Sequence, residues 1–245
     1  MAAFNTAQFE TAIEKINRGL WVGPDQLKKI VGRVNELLNS PLIPDPVKKA
    51  IKWSAQQLVS LTDQLLEKLV EIVKGSAAPL LMFRAASDWG DHYLKVHGDI
   101  KGPLDALASR RDWHGPAAER YENRVSRQPV AVGQIGGIAK KMADILTTSA
   151  GAGLVFYVAI AGAVAQFLGE MVACYVAVAT GEGAAAGLSA AGVAVGANIT
   201  LLVTSVGALT TFLTGQVSAV NDVKNKAQDT YAFPGGLWPV GTPSS

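Results

Sequence analysis

Hydrophobic positions along this chain recur at helical spacing almost from the first residue. Phe9, Ile13 and Ile16 predict a short amphipathic helix over residues 5–18, with Asn5 or Thr6 as its N-cap. The pattern predicts a break at Gly19 to Gly23. A second helix is then expected to open at Pro24, its stripe formed by Leu27, Ile30, Val31, Val34, Leu37 and Leu38.

The prolines of Ser40-Pro41-Leu42-Ile43-Pro44-Asp45-Pro46 each remove a backbone donor, so this segment is read as a connector. Asp45 is expected to cap a long helix to about Lys74. Its apolar positions Ile51, Ala55, Leu58, Leu65, Leu69 and Ile72 recur mainly in steps of three and four. Gly75 to Pro79 then marks a turn or kink. Leu80 to about Ser109 is again helical in pattern, with Gly98 and the Gly102-Pro103 pair bending its middle. After a tight connection at Arg110 to Gly115, another helix is expected from Pro116, kinked at Pro129 and at Gly133 to Gly137.

The pattern changes at Thr147. From there to Val220 only Glu170 and Glu182 are charged, and no lysine or arginine lies between Lys141 and Lys224. One break, at Gly181-Glu182-Gly183, divides the block into Leu154–Thr180 and Ala184–Leu213. Each is long enough to cross hydrocarbon, which takes about 20 residues, and the lysines at both ends would lie on one side of an inserted hairpin. Gln166, Glu170 and Asn198 would be costly against lipid. Small residues at spacing four, Ala161/Ala165 and Gly192/Gly196, suit close helix packing in a membrane or in a tight soluble core. The block either crosses a bilayer or is buried by protein. Beyond it, Asn221 to Tyr231 continues as a polar helix, and Ala232 to Pro243 reads as a non-helical tail. That tail is a docking strip, a membrane-interface contact or a disordered end.

Composition narrows the function classes. The formal net charge is +2, from 22 basic and 20 acidic residues, which points to no nucleic-acid partner. The single cysteine, Cys174, excludes an internal disulfide. It is either a small buried hydrophobe or an intermolecular link. The first twenty residues lack a basic segment followed by an apolar one, so no secretory signal peptide is expected. His92, His97 and His114 fall in no metal-ligand spacing, and Gly133-Gln134-Ile135-Gly136-Gly137 lacks the Lys-Ser/Thr of a phosphate loop and reads as a helix interruption. The expectation is a non-enzymatic protein with no cofactor and no metal.

One spacing is more specific. Trp113-x-Gly115-x-Ala117-Ala118-x-x-Tyr121, lying between two helical segments, resembles the W-x-G turn of the WXG superfamily. Members of that superfamily are antiparallel helical hairpins exported by the type VII (ESX) machinery of actinobacteria. Residues 79–220 more loosely resemble the EspA and EspE type of ESX secretion-associated protein, where a W-x-G hairpin precedes a Gly/Ala-rich apolar region. The resemblance implies that Trp113 and Gly115 form a turn recognised during export, with Tyr121 packed beneath it. It further implies a secreted or envelope-associated protein that assembles with itself or with a co-secreted helical partner or chaperone. In EspA-like proteins a lone cysteine can link two chains, and Cys174 is its counterpart in kind, with no equivalence of position implied. One departure stands out: none of the five tyrosines is followed four residues on by an acid, the Tyr-x-x-x-Asp/Glu signal common in type VII substrates.

The expected fold is all-α. It is an elongated bundle built on a long helical hairpin with a W-x-G turn at 113–115, plus a Gly/Ala-rich apolar hairpin. Its segments are N-terminal amphipathic helices over 1–40, the W-x-G bundle over 45–146, the apolar hairpin over 147–220 and the polar helix end with its tail over 221–245. Gly162, Gly169, Cys174, Gly192 and Gly196 are the expected oligomer or membrane contacts of the apolar hairpin. The alternative is an α-helical pore-forming or membrane-inserting protein whose bundle shields that hairpin until it is released.

Overall fold

A computed structural model describes residues 4–105, 113–181 and 183–239, and among these the protein is an all-α helical bundle with no strand. Its main helices are α1 (Thr6–Asn39), α2 (Asp45–Lys74), α3 (Ala77–Lys95), α4 (Gly102–Asp105), α5 (Pro116–Val125), α6 (Arg127–Thr180) and α7 (Ala184–Ala227). They form two compact units. One comprises Asn5–Ala78 and Ala152–Thr211; the other comprises the described parts of Met1–Phe4, Pro79–Gly151 and Phe212–Ser245.

The first unit is a four-helix bundle of α1, α2, the later part of α6 and the earlier part of α7. Asn5 opens α1, its Oδ1 accepting the Gln8 N–H at 3.0 Å. The break expected at Gly19 to Gly23 is absent, because α1 runs through both glycines and through Pro24. Both glycines are buried, in line with Phe9, Ala12, Ile16, Ile30 and Val34, on the face turned toward α6. A methyl group on Gly19 would fall on Val164 Cγ1, and one on Gly23 would lie 2.9 Å from Phe167 Cε1. Glycine here admits a neighbouring helix instead of ending its own. Packing on both sides of Pro24 offsets the roughly 3 kcal/mol that a helix-interior proline costs.

Contacts along α1 fix the topology. Gly19 and Gly23 meet Val164 and Phe167, Arg33 Nη2 donates to the Ala179 carbonyl at 3.1 Å, and Leu37 lies beside Gly181, so α6 runs parallel to α1. Helix α2 returns antiparallel after the proline connector, and begins at Asp45 with Pro44 as the cap residue, one position earlier than expected. Gly181, at φ +79°, turns the chain from α6 into α7, which therefore runs parallel to α2. The core these helices share includes Ile16, Ile30, Leu58, Leu65, Ile160, Phe167, Met171, Leu188 and Leu202, all essentially buried. Its buried polar side chains include Ser54, Thr62, which is fully buried, and Asn198, 3% exposed. Neither Thr62 Oγ1 nor Asn198 Nδ2 has a hydrogen-bond partner.

In the second unit α3 gives way at Val96–Lys101 to a π-helical turn before α4. The turn contains Gly98 and ends at Gly102-Pro103, where the sequence places the weak point of this segment. Pro103 has no N–H to offer the carbonyl four residues back, and widening the turn relieves its ring clash. The interruption expected near Pro129 is the break at Ser126 between α5 and α6, whereas α6 passes without interruption through Gly133, Gly136 and Gly137. Pro129 lies in its first turn, where no N–H is needed. Gly136 accommodates the His97 ring, whose nearest atoms would lie 3.1 Å from a methyl group at that position. The tail is docked as far as Pro239. Gln128 Nε2 donates to the Pro239 carbonyl at 2.9 Å, Gln134 Nε2 to Asp229 Oδ2 at 3.0 Å, and the Arg127 guanidinium lies 5.7 Å from the Tyr231 ring centre.

Candidate functional site

The W-x-G turn is built from backbone upward. Gly115 has φ +109° and ψ 177°, a conformation that strains any residue with a Cβ, and its carbonyl accepts the Glu119 N–H at 3.1 Å to start α5. Pro116 takes the first helical position. The Trp113 and Tyr121 rings meet with centroids 5.4 Å apart, inclined at 55°, so the three residues singled out in the sequence come together. Trp113 is still 47% exposed, and the neighbouring Ala117 is exposed as well. The preceding arm can be followed to Asp105; its expected continuation to Ser109, with Arg110 to Asp112, lies outside the described residues.

The apolar hairpin presents a second pattern. On α6 within the four-helix unit, one face packs inward through Ile160, Val164, Phe167 and Met171. The opposite face carries Val155, Ala159, Gly162, Gln166, Gly169, Ala173, Val176 and Thr180, every one exposed. Their spacing alternates four, three, four, three, which is the 3.5-residue period of a helix seam that meets another helix. Nothing lies within 4 Å of a Cβ built on Gly162 or Gly169, so the seam is open where it is narrowest. On α7 the apolar surface includes Val193, Leu201, Val203 and Val206, all exposed.

The other hairpin residues are placed differently. Gly192 is buried and Gly196 half-buried, but neither has an atom within 4 Å of its Cβ position, so this G-x-x-x-G pair makes no close helix crossing within the chain. The close approach between α6 and α7 is at Gly187, against Ala177. Cys174 is buried, and desolvation pushes its thiol up to about 11, which keeps it protonated at neutral pH and removes the thiolate needed for exchange. Burial likewise raises the Tyr157 hydroxyl, which donates to the Ile72 carbonyl at 3.0 Å.

The histidines are apart from one another in their bonding. His92 Nδ1 donates to the Asp88 carbonyl at 2.7 Å, while His97 lies with its ring centre 4.7 Å from that of Tyr93. No group of three or more His, Cys, Asp or Glu side chains is arranged to hold a metal among the described residues.

Gly19 and Gly23 escaped sequence reasoning as contact residues, although their spacing of four is the same small-residue signal that drew attention to Gly192/Gly196. So did an open groove between α1 and α2, about 510 Å³, because an apolar stripe on each helix does not say how much of it the other helix covers. Comparison with protein-family models, with curated proteins and with solved structures finds no match.

Proposed function

We propose that this is a non-enzymatic structural protein of the type VII (ESX) secretion-associated kind, exported and self-assembling through the open face of its apolar hairpin. The observation that carries the assembly reading is the uncharged 3.5-residue seam from Val155 to Thr180, each of its residues exposed and the seam narrowest at Gly162 and Gly169. A seam of that period fits another helix along its length, and small residues let the two backbones approach. Support for the export reading is the W-x-G turn, with Gly115 at positive φ and Trp113 held on Tyr121 while half its surface stays accessible to a recognition partner.

Export is tested in a host carrying the machinery. Trp113→Arg is expected to abolish secretion while leaving the helical content and thermal unfolding of the purified protein unchanged, since Trp113 is not a core residue. Normal export of the variant would overturn the export reading.

A second reading, a membrane-inserting or pore-forming protein, is favoured by one observation: α6 and α7 are each long and apolar enough to span a bilayer. The charges and polar groups of these helices weigh against it. Gln166 and Glu170 are on α6, and Asn198 is on α7, where insertion would leave them in hydrocarbon.

A further inference from the structure

The groove between α1 and α2 differs from the α6 seam in carrying charge as well as apolar surface. Val31, Leu38, Ala55 and Val59 line it, each half-buried, and Lys52 and Asp63 lie on the same edge, three helical turns apart on α2. The separation of those two charges along the helix is about 16 Å. Both are exposed, and neither takes part in an ion pair among the described residues, where the pairs are Lys28–Asp25, Arg33–Glu36 and Lys140–Asp144.

We infer that this groove is a docking surface for the same groove of a second copy, the two α1–α2 hairpins packing face to face and antiparallel. The charges select that occupant. A partner helix of uniform sign would be attracted at one end and repelled at the other. A second copy turned end for end brings its Asp63 to Lys52 and its Lys52 to Asp63, satisfying both ends through one two-fold axis. Between them, the half-buried aliphatic side chains of the two copies complete a layer that a single hairpin leaves open. Docking here is independent of export, and it uses a surface separate from the α6 seam.

The test is a charge exchange read by sedimentation velocity over a concentration series, made in full-length protein carrying Gly162→Leu and Gly169→Leu so that seam association is blocked. The parent protein is expected to dimerise. Lys52→Glu replaces both symmetry-related attractions by repulsions and is expected to weaken dimerisation about ten-fold or more. Lys52→Glu combined with Asp63→Lys is expected to restore it. A monomeric parent at all concentrations, an unchanged Lys52→Glu variant, or failure of the double variant to recover would each overturn the inference. As a second measurement, a mixture of Lys52→Cys and Asp63→Cys proteins is expected to form the mixed disulfide dimer under mild oxidation; absence of that species in a dimerising parent would overturn the antiparallel register. Loss of species larger than the dimer in the glycine variant, with the dimer retained, is the outcome that bears on the seam alone.

Discussion

Glycine carries opposite consequences at different points of this chain, and the surroundings decide which. At Gly19 and Gly23 a Cβ would enter space held by Val164 and Phe167 of α6. Overpacking of this kind typically costs about 1–3 kcal/mol, more than the ~0.5–1 kcal/mol a mid-helix alanine gains over glycine. Gly23→Ala is therefore expected to lower the urea midpoint of unfolding. At Gly162 and Gly169 the same methyl group meets nothing, so only the propensity term remains, and Gly169→Ala is expected to raise stability by about 0.5–1 kcal/mol, read from the same midpoint. Equal and favourable shifts at both sites would show that α1 and α6 are not in the close contact described. Cys174 belongs to the same scale. Its position in the apolar block was apparent from sequence, but the choice between a buried thiol and an interchain link required knowing that it is buried and lies off the open seam.

At the scale of the element, the helices end where local chemistry ends them. Asn5 caps α1, Gly75 follows α2, Gly181 turns α6 into α7, and Gly115 with Pro116 opens α5. The breaks expected at Gly19 to Gly23 and at Gly133 to Gly137 do not occur, because an isolated glycine is a weaker signal than the burial on either side of it. The most unusual feature of any helix here is polarity in the core. Lys68, Glu71 and Ile72 of α2 line one groove with Leu202, Val203 and Val206 of α7; about two to three turns earlier in α2 stands Thr62, and about one to two turns earlier in α7 stands Asn198. Each leaves a buried polar atom unpaired. Such a group costs roughly 1–3 kcal/mol, so Thr62→Val and Asn198→Leu are each expected to stabilise the protein by about 1 kcal/mol or more, measured by chemical denaturation. Destabilisation by both would mean that these groups have partners and that the core is not as described. Thr62 escaped notice in the sequence because a lone threonine in an amphipathic helix carries no mark of its burial.

For the whole molecule the question is what meets the apolar surface of α6 and α7. One side of α6 is covered by α1, through Val164 and Phe167, and α6 and α7 cover each other at Gly187. The other side is uncovered, along the seam of α6 and at Val193, Leu201, Val203 and Val206 of α7. The assembly reading expects the purified protein to leave dye-loaded liposomes intact at concentrations where it self-associates, and its thermal midpoint to rise with protein concentration. Dye release together with a carbonate-resistant membrane fraction would instead establish the inserting form.

Sequence by itself determined the all-α class, the helix content of nearly every segment, the turn at Gly181 and the helix start at Gly115-Pro116, because each rests on periodicity or on turn chemistry carried by neighbouring residues. Only the tertiary structure decided which face of each helix is covered. Gly19 and Gly23 became contact points because α6 lies on them, Gly192 and Gly196 did not because no backbone comes that near, and the groove along α2 exists because α1 folds back beside it. Those outcomes depend on pairings between residues far apart in the chain, and no local pattern encodes them.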